Sequence, residues 1–328
     1  DIHRAYFAAG SDIVETNSFG ASPVGMVEFD LPLDLVVEIN HAAVACARKA
    51  ADEWTERTPD KPRFVAGSIG PTTKQLAIST VDDPAHRDTT FPEMVDSYRA
   101  QVEALVEAGV DILLPETAID TLNLKSCLFA IQDFFDAGGR RVPVMASGTF
   151  ADGGRTFVSA QSVEAFWTAI SHFPLLAVGM NCALGPDVMR PHIEELSHVA
   201  NIPISCHPNA GLPNEMGQFD LGPQEMAEKV GEYADNGWVN ILGGCCGTTP
   251  DHIRAMAQRI EGLKPKQDEV WPVYTRLSGQ LPMVMRPESP FTMIGERTNV
   301  TGSRKFARLI RDDKYDEAVD VAREQVLN

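Results

Sequence analysis

No run in this chain comes near the ~18–20 consecutive apolar residues that a helical membrane span requires, and a membrane-spanning class is set aside on that ground. Cysteine is scarce, with six in 328 residues, far too few for a disulfide scaffold. Basic residues are outnumbered, 28 against 46 acidic, and the formal charge of −18 repels nucleic acid and anionic membranes alike. Neither is expected as a partner. The opening Asp1-Ile2-His3-Arg4 runs straight into helix-like sequence with no apolar leader, and the cytoplasm is the expected compartment. Common catalytic signatures are missing too: there is no Gly-x-x-x-x-Gly-Lys, no His-Glu-x-x-His and no Gly-x-Ser-x-Gly. What is present is a 44% apolar chain, ordinary for a globular protein and long enough for one large barrel or two domains.

Short apolar runs alternate with amphipathic helical segments. Strands are expected at Asp12–Glu15, Arg63–Gly67, Asp111–Leu114, Val142–Ala146, Leu176–Met180, Ile202–Cys206 and Val239–Leu242. Helices are expected over 2–9 and roughly over 33–57, 91–108, 120–136, 160–172, 187–199, 222–236 and 249–262. Gly109, Gly138 and Gly237 close helices as left-handed caps, and Pro186 and Pro223 sit near helix starts. A βα unit of about 30 residues, repeated with no antiparallel signal, predicts a parallel α/β fold, and a (β/α)₈ TIM barrel better than an open sheet. With seven strands, the barrel is expected to lack its first strand. The barrel should occupy 1–262. A proline-rich stretch, 263–290, reads as a surface linker. A strand at Phe291–Ile294, a loop to Gly302 and a helix over Ser303–Leu327 then read as the first βα unit of a second barrel.

Residues just past the strands of such a fold gather at one mouth. Here they are Glu15-Thr16-Asn17, Ser68-Ile69-Gly70-Pro71-Thr72, Glu116-Thr117, Ser147-Gly148-Thr149, Asn181-Cys182, His207-Pro208-Asn209 and Gly244-Cys245-Cys246. Cys182, Cys245 and Cys246 therefore converge from two distant loops. Three thiols with a position left open suit a catalytic soft-metal site, zinc above all. Buried thiols, or a vicinal redox pair, is the competing reading of the adjacent cysteines. Cys46 and Cys127 read as small buried hydrophobes. Cys206 should point into the barrel layers, and His207 reads as a structural histidine before a ligand. Glu116 should face the mouth and hold a substrate ammonium by charge-assisted hydrogen bonds; as a helix cap it is outcompeted by Asp120.

At these residues the chain resembles the homocysteine S-methyltransferase family. The resemblance is carried by Glu15-Thr16-Asn17-Ser18-Phe19, Gly67–Thr72, Gly179–Pro186, His207–Pro213 and Gly243–Pro250, and covers about 1–262. It implies zinc on Cys182, Cys245 and Cys246, with homocysteine completing the coordination. It also implies that Glu116 takes the substrate amine and that Asn209 approaches the metal when substrate is absent. Ser68, Thr72 and Asn17 join the substrate site, the backbone N–H groups of 68–72 facing the substrate carboxylate. The family's Asp-Gly-Ala-Met-Gly strand is not found here. The tail Ile294-Gly295-Glu296-Arg297-Thr298-Asn299-Val300-Thr301-Gly302-Ser303 looks like the start of a folate-binding module. That points to members whose methyl group comes from methylcobalamin on a separate cobalamin-binding module. Asp1-Ile2-His3 opens like an Asp-x-His-x-x-Gly corrin box, but Tyr6 stands at the glycine position, so the corrin is expected outside this chain. Betaine or S-methylmethionine as donor, or a barrel with a purely structural zinc, are the alternatives.

Overall fold

The computed structural model describes residues 1–83, 86–267, 272–292 and 297–327, of which 326–327 by backbone alone. It divides into two compact units, Asp1–Val284 and Met285–Asn328. The first opens with α1 (Ile2–Ala9), β1 (Ile13–Glu15), α2 (Pro23–Glu28), α3 (Leu35–Arg57) and β2 (Phe64–Ile69). It continues through α4 (Phe91–Ala108), β3 (Ile112–Pro115), α5 (Thr121–Asp136), β4 (Met145–Gly148), α6 (Val163–Ile170) and β5 (Ala177–Asn181). Then come α7 (Pro186–Val199), β6 (Ile204–His207), α8 (Pro223–Asp235), β7 (Ile241–Leu242) and α9 (Pro250–Arg259).

All seven strands are parallel and neighbour one another in chain order. β1-β2-β3 form one ladder and β4-β5-β6-β7 another, and a parallel bridge from Leu113 to Val144 joins them. β4 starts later than the expected Val142, at Met145, after Pro143, which has no N–H to give a ladder. Side-chain alternation divides the core into two layers. Ala66, Ile112, Leu114, Met145 and Ala177 point inward, and Ile13 of the first strand and Ile241 of the last both pack on them. The sheet is therefore strongly curled. The opposite parity faces the helices in one large apolar layer that includes Val65, Leu113, Val178 and Ile204. No ladder joins β1 to β7 among the described residues. A cleft of about 730 Å³ lies there instead, with Ile2, Tyr6, Glu15, His207, Ile241 and Met256 among its walls.

The helices begin and end where local chemistry says they should. Thr90 and Glu93 make a reciprocal capping box at α4, Asp120 caps α5 through the Leu122 N–H, and Pro186 and Pro223 open α7 and α8. Gly109, Gly138 and Gly237 all have positive φ, as expected. The short α2 has no counterpart in the sequence reading. The proline-rich stretch is more structured than a linker. β8 (Thr275–Ser278) and β9 (Pro282–Met285) form a two-stranded sheet, and it is docked on α6 by Ser278 Oγ donating to Ala165 O (2.7 Å) and by the Arg276–Glu164 ion pair (3.0 Å).

In the second unit the expected strand Phe291–Ile294 and loop from Gly295 lie partly outside the described residues, and residues 291–292 carry no strand. The expected single helix is two, α10 (Arg304–Arg311) and α11 (Tyr315–Leu327). The break is a Schellman turn. Asp313 takes φ 54°, Lys314 N–H donates to Leu309 O and Asp313 N–H to Ile310 O. Leu309, Ala318 and Val321 bury the small core between these helices.

Candidate active site

The three cysteines are delivered by strand ends and held by backbone bonds. Past β5 the chain turns through Cys182 (φ 64°) and Ala183 (φ 58°), two non-glycine residues in the left-handed region. Cys182 N–H donates to His207 O at 3.0 Å. Past β7, Cys245 N–H donates to Pro208 O (2.9 Å) and Cys246 N–H to Asn209 Oδ1 (3.1 Å). Ala210 N–H returns a bond to Cys246 O (2.9 Å). Gly247 then turns at φ 78°, which only glycine does without strain. As a result the three Sγ atoms lie within 4.8 Å of one another, with Cys182–Cys246 at 3.7 Å and Cys245–Cys246 at 4.0 Å. A tetrahedral ion with bonds of about 2.3 Å separates its sulfurs by about 3.8 Å. The cage already has the dimensions of a zinc site.

Its protons are shared unequally. The Cys182 thiol is pulled down to about 5, chiefly because Cys245 donates a hydrogen bond to its sulfur, helped by the Ala183 N–H, Cys246 and Asn209 against the cost of burial. Cys245 is pushed up by that same donation and by burial, and Cys246 by burial and the neighbouring charge. One thiolate forms readily, and the others need a cation beside them.

Beside the sulfurs stands Glu116, at the end of β3. Its charge is felt at Cys245, and that of Cys182 at Glu116. Its Oε1 accepts from Ser68 Oγ at 2.6 Å and its Oε2 from Asn181 Nδ2 at 3.3 Å. Burial pushes its carboxyl up, and the hydroxyls of Ser68 and Thr117 offset part of that. The arrangement is a half-buried acid, oriented by neutral donors, next to a trithiol cage. It can take an ammonium and a soft sulfur from one small molecule.

A family model for homocysteine S-methyltransferase matches residues 1–260. The chain belongs to that family. Among solved structures, the metallated form of the homocysteine methyltransferase MmuM from Escherichia coli is similar, with TM-score 0.63 and 22% identity over 79% of this chain and 83% of that one. The oxidised form gives 0.63 at 21% over 79% and 82%, and the apo form 0.60 at 21% over 79% and 83%. At that identity the likeness speaks for the fold.

In this methyltransferase fold the residues singled out in the sequence fall into two groups. Ser68, Glu116, Asn209 and the three cysteines are brought together, Asn209 being buried with its Oδ1 accepting from the Cys246 N–H. Thr72 is buried and spends its hydroxyl on Lys74 O, while Asn17 is exposed and stands apart from the Glu116 network. The Ser68 N–H goes to Thr16 Oγ1 and the Gly70 N–H to Phe19 O, so these two amides are not open to a substrate carboxylate. Cys206 does not point into the barrel. Its sulfur meets Met189 of α7 at 3.5 Å, because Ser205 and His207 have the inward parity. Cys127 is buried as expected, but Cys46 is exposed on α3. His207 lies outside the sulfur cluster, and burial lowers its ring to about 4. Two residues were given no role from the sequence. Glu15, on the cleft wall, is exposed at the end of β1, and desolvation by the surrounding cleft, then Glu116, push its carboxyl up to about 8. Asn181 bonds to Glu116 and Thr117. Each ends a strand, and that position was the available signal.

Proposed function

We propose that this chain is the homocysteine-binding part of a cobalamin-dependent methionine synthase, moving a methyl group onto the homocysteine sulfur to give methionine. The observation that carries it is the trithiol cage at zinc spacing beside an oriented carboxylate. Cys182, Cys245 and Cys246 would hold the ion, with Asn209 next to them. When bound, zinc supplies the charge that strips the proton from a thiol of pKa about 8.5 and keeps its sulfur nucleophilic at neutral pH. Glu116 takes the ammonium group. The cost of charging that buried acid falls when a cation arrives, and Ser68 and Asn181 fix its two oxygens meanwhile.

The barrel reading goes with it. The seven strands are those of an eight-stranded barrel spanning 1–262, with one strand position open between β1 and β7. The tail from Ile294 is the start of a folate-binding unit, which favours methylcobalamin, held on a separate cobalamin-binding module, over betaine or S-methylmethionine as donor. The test is a donor comparison. Zinc-loaded protein supplied with homocysteine and each donor in turn should form methionine from methylcobalamin only. Turnover with betaine or S-methylmethionine contradicts the donor assignment. No methionine from any donor, with homocysteine leaving the zinc ligands unchanged, favours a structural zinc.

A further inference from the structure

We infer that Asn181 is the positioning residue that fixes the Glu116 carboxylate relative to the three sulfurs, and so selects thiols carrying an α-ammonium group over thiols that lack one. The inference rests on the homocysteine reading above and deepens it. Asn181 is the last residue of β5 and is buried, 3% exposed. A side-chain amide has two N–H donors and an oxygen with two lone pairs, and here all four are used. Nδ2 donates to Glu116 Oε2 at 3.3 Å and to Thr117 Oγ1 at 2.7 Å. Oδ1 accepts from Thr117 N–H at 2.9 Å and from Ser147 Oγ at 2.7 Å. The amide cannot be turned over, because that would set its oxygen against the carboxylate.

These bonds reach two strained points. Thr117 has φ 55°, a conformation that β-branched residues rarely adopt, and its N–H is held there by Asn181. The next residue, just past the end of β5, is Cys182, itself at φ 64°. One side chain thus ties the segment bearing the amine-binding acid to the segment bearing a sulfur. A buried asparagine serving packing alone would have no reason to spend its amide on Glu116 and Thr117 while its own backbone leads into the sulfur cage. Homocysteine must span both groups at once, whereas a thiol without the ammonium needs only the cage.

The experiment compares homocysteine with 4-mercaptobutyrate, the same molecule without its amino group, on the zinc-loaded full chain by calorimetry. Zinc affinity is read in parallel by chelator competition. Wild type should prefer homocysteine. Asn181→Ala should weaken homocysteine roughly 10- to 100-fold, the range expected for hydrogen bonds that aim a charged group, and leave 4-mercaptobutyrate and zinc within about 3-fold. Ser147→Ala, which frees one lone pair of Oδ1, should shift the same ratio about 3-fold in the same direction, and it decides the matter if Asn181→Ala does not fold. A variant that keeps the wild-type ratio, or loses both thiols equally, overturns the role of Asn181. A wild type that binds both thiols alike overturns the amine-site reading and this inference with it.

Discussion

Glu116 is a carboxylate oriented by neutral donors. Its two oxygens are met by Ser68 and Asn181, neutral donors that aim it without neutralising it. Glu116→Gln keeps the shape and loses the charge, so homocysteine should bind roughly 10- to 100-fold more weakly while zinc content stays the same. Equilibrium titration with metal analysis checks both. Glu15 leads to a pH prediction. Its carboxyl is raised from 4.5 to about 8, so between those values the folded state holds a proton that the unfolded state has lost, and stability falls as pH rises. His207, lowered from 6.5 to about 4, acts oppositely, but only below its unfolded value. Between about pH 6.5 and 8 the thermal midpoint of wild type should therefore fall relative to that of Glu15→Gln; parallel curves would exclude the shift. The cysteines and Glu116 were legible in the sequence because each follows an apolar run directly. The engagement of the Ser68 and Gly70 amides was not, because their partners, Thr16 and Phe19, lie on another loop.

At the level of elements, the site depends on close strand contacts. A Cβ on Gly179 would collide with the backbone carbonyl of Ser205 across β5 and β6. Gly179→Ala should therefore disturb the strand that ends in Cys182, lowering the midpoint sharply and weakening zinc uptake with it. Normal zinc affinity in a fully folded variant would contradict this. Thr90→Ala, which removes the α4 capping box, should cost about 1 kcal/mol in denaturant unfolding and leave zinc uptake alone. Helix starts and stops were readable from Asp120, Pro186, Gly109 and their kin. The β8–β9 pair was hidden because its support is tertiary: Gln161 and Ser162 bond to Gly279 and Gln280. The Asp313 turn was missed because glycine is the usual signal for that conformation.

For the molecule as a whole, the order of the strands follows from repeating βα units, but closure does not. Whether β1 meets β7 is decided by residues more than two hundred positions apart, and no local pattern records it. Among the described residues, the first unit has an unpaired side on β1 and on β7, with the cleft between them, and unpaired edges invite association. Joining an apolar strand-forming segment ahead of Asp1 should raise the thermal midpoint and reduce aggregation. An unchanged midpoint would mean that the opening is not a strand position. The net charge of −18 is the whole molecule's counterweight, since it keeps copies apart in dilute salt.

In the proposed site Cys182, Cys245 and Cys246 hold one ion and leave it a fourth place for a substrate sulfur. X-ray absorption at the zinc edge, on protein loaded with one equivalent, tests this most directly. Three sulfur neighbours with one nitrogen or oxygen should become four sulfurs when homocysteine is added. A spectrum that does not change, or a protein that retains no zinc, would contradict an open trithiol zinc site.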